Sequence, residues 1–432
     1  MRPEQLTGAE TRHIVHPFAH HSCVYMPQFD AVFTPGAPSL EHDDSMISRK
    51  FGREVINYYG GGLLNRFSFL RNDIGFIRRA ATAPTTQFIA LRDLNPLIAD
   101  PTRLAFFGHD DVRPLIGADP FGRTDQEKQD TFDSTRPSPL LLFLGLLPNT
   151  AKGVDLETTK HGVVNGQPYF ALDVTPKGQY AAEAETFLKQ ATDKGYSVQE
   201  NVRTMTLHPE AAATLAQARS LIDWNARNLH CAGCGNLNLS VEAGYKRVCP
   251  THDLAGGSTP VQRPDCPTRH GISNVCFPRT DPTMIAAVVS ADAKRVLLGR
   301  SARWPPKWHS TLAGFLEPGE SIEDSVRREV WEEAGVRVGR VTIHSSQPWP
   351  YPSSLMIGAI AQALPDGEDI TLLDKELESA KWFTFDEVRD ALLNGTSALG
   401  DPTPEGYTGG AVRAAEAGDC ASAAAGGGGW LF

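Results

Sequence analysis

The stretch that decides the fold is GFLEPGESIEDSVRREVWEEAGV, Gly314 to Val336. Ser321 is a residue type that caps helix N-termini, and Gly335 suits the left-handed turn that ends a helix. The spacing therefore predicts a helix from about Ile322 to Ala334. At 100° per residue, Glu329, Glu332 and Glu333 share an arc of roughly 100° on one face. Three carboxylates this close repel one another, so the arrangement calls for a cation. Hard oxygen ligands suit Mg²⁺ or Mn²⁺, which keep positions for water and substrate phosphate. Arg328 adjoins the cluster and carries a planar fork suited to anchoring a carboxylate. Gly314 and Gly319 let the preceding loop pass close to a ligand. A plain solvated acidic face is the alternative reading of any Glu-rich helix.

Working outward, MIAAVVS and RVLLG read as buried strands joined by the turn ADAK, and LMIGAIAQ as a further strand beyond the helix. Earlier in the chain, QFIALR, RLAFFG and PYFALDV have strand-like length and flanks. HPEAAATLAQARSLIDWNARNLH has the Ala and Leu content of a helix, and ADPFGRTDQEKQDTFDSTRPSP reads as a surface loop. The chain divides into a poorly ordered His/Pro-rich arm (1–50), an α/β domain (51–229), a cysteine-rich module (230–279), a second α/β domain (280–395) and a Gly/Ala-rich tail (396–432). The fold class is α/β, or α+β, with mixed sheets.

The formal net charge of −10 over 432 residues speaks against backbone-driven binding of long nucleic acids. It leaves open one nucleotide held in a pocket. The longest apolar run, LLLFLGLL (Leu140–Leu147), is too short for a bilayer, which needs ~20 residues, so no membrane is expected. Glu4 and Glu10 sit poorly in a mitochondrial presequence, and the ending Trp430-Leu431-Phe432 is no peroxisomal tripeptide. No targeting signal is recognisable. Five of the seven cysteines crowd between Cys231 and Cys276, which points to metal binding in a reducing compartment.

Gly314, Glu320, Arg328-Glu329, Glu332-Glu333 and Gly335, with apolar Val330 and Val336, complete a Nudix box. Seven fixed positions coincide by chance at about 10⁻⁸ per start site, at ~7% per residue type. Ten residues after Val336, SQPWPYPSS (Ser346–Ser354) closely resembles the SQPWPFPxS signature of the NADH pyrophosphatase (NAD-capped RNA hydrolase) branch of the Nudix superfamily. Tyr351 replaces the usual Phe. Physically, the three prolines hold the segment extended at little entropic cost. Trp349 and Tyr351 then offer ring faces to a base, and Gln347 and Ser354 offer hydrogen bonds.

The resemblance implies an N-terminal Nudix-like α/β domain, a zinc ribbon and a C-terminal Nudix sandwich of mixed sheet between helices. It implies hydrolysis of NADH, and of NAD⁺ or NADPH, to the nicotinamide mononucleotide and AMP. DeNADding of NAD-capped RNA is the alternative main role, and a non-cleaving dinucleotide sensor the rival of another class. The implied catalytic residues are Arg328, Glu329, Glu332 and Glu333, and the general base among them stays open. The implied substrate-binding residues are Gln347, Pro348, Trp349, Pro350, Tyr351, Pro352, Ser353 and Ser354. Further Mg²⁺ or Mn²⁺ ligation falls to the Ala313 carbonyl and to Glu376 in KELESAKWF, with Glu378 competing. A homodimer in the cytoplasm or peroxisome is also implied. One departure stands out: beyond Asn394 the sequence has no counterpart of the branch's mixed apolar and basic helical segment.

Cys231, Cys234 and Cys249 give C-x2-C-x14-C, three of the four positions of a structural zinc site. His252 is the nearest fourth ligand by local spacing, and Cys276 is another option. Cys266 is preferred, because it resembles the branch's last zinc ligand displaced by the insertion THDLAGGSTPVQRP. A loop tolerates such an insertion, since closure cost rises slowly with length.

Overall fold

The computed structural model describes residues 46–51, 55–304, 308–374 and 376–394. The expected arm, apart from the short helix α1 (Met46–Phe51), and the expected tail lie outside the described residues.

The first domain is built on β1 (Gln87–Arg92), β2 (Asn95–Asp100), β3 (Arg103–Leu104), β4 (Leu141–Leu147), β5 (Val154–Glu157), β6 (Val163–Asp173) and β7 (Ser197–Val198). The sheet order is β3-β2-β1-β6-β4, with β5 beside β6 and β7 beside β2. Strands β1 and β6 run parallel, and their neighbours pair antiparallel. Alternate residues of a strand face opposite sides. Phe88 and Ala90 of β1 therefore enter one core with α2 (Ile74–Thr82), α3 (His109–Ile116) and α5 (Ala181–Asp193). Ile89 and Leu91 enter a second core with α6 (Pro209–Arg227). Burial on both faces is why QFIALR reads as one continuous apolar run rather than as an alternation.

The polar segment expected as a plain surface loop contains α4 (Asp125–Asp130). Thr124 and Glu127 form a capping box: the Thr124 amide donates to Glu127 Oε2 at 2.7 Å and the Glu127 amide to Thr124 Oγ1 at 3.2 Å. This cap on a six-residue helix outweighs the polarity that suggested a loop. The segment then docks on the insertion of the cysteine module, where the Ser134 amide donates to Asp253 and the Leu254 amide to the Phe132 carbonyl. That module has two small ribbons, β8 (Leu239–Val241) with β9 (Lys246–Val248), and β10 (His252–Asp253) with β11 (Val261–Gln262).

The second domain contains β12 (Asp281–Val289), β13 (Arg295–Arg300), β14 (Leu312–Phe315), helix α7 (Ile322–Ala334), β15 (Val338–Trp349), β16 (Ser354–Ala363), β17 (Ser379–Thr384) and α8 (Phe385–Asn394). Its order is β15-β16-β12-β13-β17, with β14 beside β12 and with β12 and β16 parallel. The run β13-β12-β16-β15 repeats the directions of β2-β1-β6-β4 in the first domain. The two sheets thus share one topology around a central parallel pair. Val326 and Val330 of α7 pack on Met284, Ala286 and Val288 of β12.

This sheet sets the layout of the site. Gly314 pairs with Met284, Met284 with Ile357 and Ile357 with Ser346, so the four lie on one row across β14, β12, β16 and β15. Three steps of ~4.8 Å put the start of the proline-rich stretch roughly 14 Å from Gly314. Among the described residues strand β15 is an edge, paired with β16 alone, which is where a sheet tolerates Pro348.

Candidate active site

Helix α7 begins and ends where the sequence places it. Ser321 accepts from the Asp324 amide at 3.2 Å, and Gly335 closes the helix at φ 72°. The chain then returns across this end, with the Thr371 amide donating to the Ala334 carbonyl and the Asp374 amide to the Glu332 carbonyl. A side chain at Gly335 would run into the Thr371 backbone.

The three helix carboxylates occupy different environments. Glu332 is half-exposed, Glu329 is mostly covered and Glu333 is buried. Glu333 Oε2 is buried and has no hydrogen-bond partner among the described residues. Burial, reinforced by the charges of Glu329, Asp374, Glu376 and Glu332, pushes the Glu333 pKa up to about 8. Burial also raises Glu329, against the pull of Arg328. Asp374 belongs to this cluster although no motif marks it. It arrives through the return loop and accepts from the Glu376 amide at 3.0 Å.

Arg328 organises the front of the site. Its guanidinium donates to both Glu320 oxygens at 2.5 and 3.0 Å, to Glu329 at 3.0 Å, to Glu332 at 2.9 Å and to the Phe315 carbonyl at 2.9 Å. Hydrogen bonding to Arg328 holds Glu320 down to about 2. Glu320 is therefore the fixed post of the arginine, and Arg328 orients two carboxylates of the cluster. Ala313 and Gly314 lie on β14, with Gly314 against the Glu329 carboxylate. Of the competing carboxylates before β17, Glu378 is paired with Arg300 at 2.5 Å, whereas the Glu376 charge acts on Glu329 and Glu333.

The proline-rich stretch splits in two. Gln347, Pro348 and Trp349 extend β15, opposite Met356, Leu355 and Ser354. Pro350, Tyr351, Pro352 and Ser353 make the turn into β16, so the segment is extended only in its first half. Tyr351 is 8% exposed, with its hydroxyl donating to the Val202 carbonyl at 2.8 Å and lying 2.9 Å from the Tyr59 hydroxyl. The expectation that its ring faces a base is corrected: the ring belongs to the second core of the first domain. Burial is tolerated because the hydroxyl finds partners there. Trp349 is half-buried at the edge of the same core, and Ser353 and Ser354 are buried.

In the cysteine module, the sulfurs of Cys231, Cys234, Cys249 and Cys266 all lie within 4.8 Å of one another. The Cys231–Cys266 and Cys234–Cys249 pairs are each 3.5 Å apart, close to the edge of a tetrahedron with Zn–S bonds of ~2.3 Å. His252 points elsewhere, its Nε2 lying 2.9 Å from the Asp130 carbonyl oxygen. Cys276 is buried and outside the foursome. Against the effect of burial, hydrogen bonds from the backbone and side chain of Asn236 bring Cys234 down to about 6. Burial and the neighbouring Cys234 push Cys249 up to about 12.

Comparison with known proteins agrees with this architecture. Residues 281–404 match the NUDIX domain, and residues 85–224 match the NADH pyrophosphatase-like rudimentary NUDIX domain. The chain is 38% identical to the NAD-capped RNA hydrolase NUDT12 of Macaca fascicularis, over 79% of this chain and 69% of that protein. It belongs to the Nudix hydrolase superfamily, in the NADH pyrophosphatase-like branch. The NAD-capped RNA hydrolase of Schizosaccharomyces pombe is 33% identical, over 78% of this chain and 85% of its own length. The human mitochondrial NAD(P)H pyrophosphatase NUDT13 is 31% identical, over 56% of this chain and 64% of its own. The shared sheet topology of the two domains is the structural counterpart of the two family matches. The Nudix match runs to residue 404, past the boundary drawn from composition at residue 395. Among the described residues, no helix is long and apolar enough to cross a membrane.

Proposed function

We propose that this Nudix hydrolase cuts the diphosphate of NADH, and less selectively that of NAD⁺ or NADPH, giving the nicotinamide mononucleotide and AMP. The observation that carries the reading is Glu333, a buried carboxylate with an orphaned oxygen beside Glu329, Glu332, Asp374 and Glu376. Such an oxygen fits a divalent cation better than it fits any protein partner present. Glu329, Glu332, Glu333 and Glu376, with the Ala313 carbonyl, would hold it. When bound, Mg²⁺ or Mn²⁺ supplies positive charge to the diphosphate oxygens and acidifies water.

The chain's own residues do the rest. Arg328 keeps Glu329 and Glu332 oriented, and a carboxylate of the cluster takes the proton of the attacking water. The water oxygen becomes a phosphate oxygen of one mononucleotide, and the former bridging oxygen leaves with the other. Gln347, Pro348 and Trp349 present the dinucleotide-binding edge, with Pro350, Tyr351, Pro352, Ser353 and Ser354 shaping the turn behind it. Cys231, Cys234, Cys249 and Cys266 would bind a structural Zn²⁺ with every position filled by protein.

A second reading, removal of an NAD cap from RNA, is favoured by the names of the relatives from Macaca fascicularis and Schizosaccharomyces pombe. Comparing kcat/KM for NADH and for NAD-capped RNA decides the main role, and a value at least tenfold higher for the RNA would reverse our order. A homodimer is supported by the exposed Ile343 and Ile360 on neighbouring strands β15 and β16, and light scattering tests it. Residence in the cytoplasm or peroxisome rests on the resemblance alone and is tested by imaging the full-length chain.

A further inference from the structure

We propose that Arg219 and Tyr59 of the first domain are positioning residues for the second, setting its selectivity for dinucleotides through Pro350 and Tyr351. The inference rests on the hydrolase reading above and adds a role for a domain with no metal-binding carboxylate cluster among its described residues.

The turn after Trp349 is held from outside its own domain. Arg219 on α6 donates through Nη1 to the Pro350 carbonyl, and its guanidinium lies 4.6 Å from the centre of the Tyr351 ring. Tyr59 meets the Tyr351 hydroxyl at 2.9 Å and the Trp349 ring edge-on at 5.7 Å. Asn57 donates to the Ser346 carbonyl at 2.9 Å and to Ser345 Oγ at 3.3 Å. The stretch from Ser345 to Tyr351 therefore hangs at both ends from residues of the first domain.

None of these contacts reaches the carboxylates. Ser346 stands three strands away from Gly314 on the shared row of the sheet. Moving the hairpin would alter how the distal ring of a dinucleotide is received while leaving the cation-binding helix in place. A charged hydrogen bond to a backbone carbonyl and a cation over a ring both fix the orientation of a turn. Since Trp349 packs on Tyr59 and Tyr351, its ring plane is set by the same clamp.

The test compares NADH with ADP-ribose, which keeps the diphosphate and adenosine but lacks the nicotinamide. Arg219→Leu is expected to raise KM for NADH about tenfold, the worth of a hydrogen bond from a charged group, with kcat held within about twofold. ADP-ribose should be affected several-fold less, and Arg219→Lys should recover part of the loss because its ammonium still reaches the carbonyl. Tyr59→Phe should give a smaller shift in the same direction. Equal losses on both substrates, or an unchanged KM for NADH, would overturn the proposal. If the wild type released no AMP from NADH, the hydrolase reading would fall. Equilibrium binding of NADH in EDTA, read by nicotinamide fluorescence, would then judge the clamp separately. A tenfold weaker Kd in Arg219→Leu supports it, and an unchanged Kd refutes it.

Discussion

The Glu329 carboxylate lies against the α-carbon of Gly314, in the space that a Cβ would fill. The glycine of the box is therefore required for close approach between strand β14 and helix α7. Gly314→Ala should displace Glu329 and lower kcat by about 100-fold, the cost of misplacing a reacting group by ~1 Å. Circular dichroism should stay unchanged, and full activity in a folded Gly314→Ala would show that Glu329 need not sit there.

Arg328 bridges Glu320 to the carboxylate cluster through a two-pronged contact that an ammonium cannot copy. Arg328→Lys should raise the Mn²⁺ concentration needed for half-maximal activity by about 10–100-fold, as for other residues that orient metal ligands. Titrating activity with Mn²⁺ checks this.

Glu333 supplies a pH dependence whose sign follows from its position. Burial and its acidic neighbours raise it from an ordinary 4.5 to about 8, so the native state favours the protonated form. Between those values the native protein binds more protons than the unfolded chain, and stability falls as pH rises. Without divalent cation, Tm should decline from pH 5 to pH 8.5. Glu333→Gln should flatten that decline, and Mn²⁺ should reduce it in the wild type. Melting curves in EDTA and in Mn²⁺ measure all three.

The cysteine foursome makes a separate prediction. Cys266→Ser should lower bound zinc, and His252→Ala should leave it unchanged, since the histidine is turned toward Asp130. Metal analysis of the purified variants gives the answer, and loss of zinc from the histidine variant alone would reassign the fourth ligand.

The site was legible in the sequence wherever its geometry is local. Ser321, the glutamates and Gly335 determine one helix, and fixed spacing on a helix becomes fixed placement in space. Cys266 was reachable because a distant ligand still has to complete a foursome. The role of Tyr351 was not legible, because its partners Tyr59 and Val202 are 292 and 149 residues away. An aromatic beside prolines looks like a ligand-facing ring until the first domain closes over it. Asp374 was missed for a related reason: the motif beside it marks Glu376 rather than Asp374, and the return loop that brings Asp374 to the cluster is held by its amide donating to the Glu332 carbonyl. The helix α4 had a local signal in Thr124 and Glu127, which the polarity around it masked.

The central claim is that the carboxylates of α7 serve cleavage of a dinucleotide diphosphate, and product analysis tests it most directly. Purified protein incubated with NADH and Mn²⁺ should release AMP and reduced nicotinamide mononucleotide in equal amounts. Glu333→Gln should lower that rate at least about 100-fold. A wild-type protein that binds NADH yet releases neither product would contradict the account.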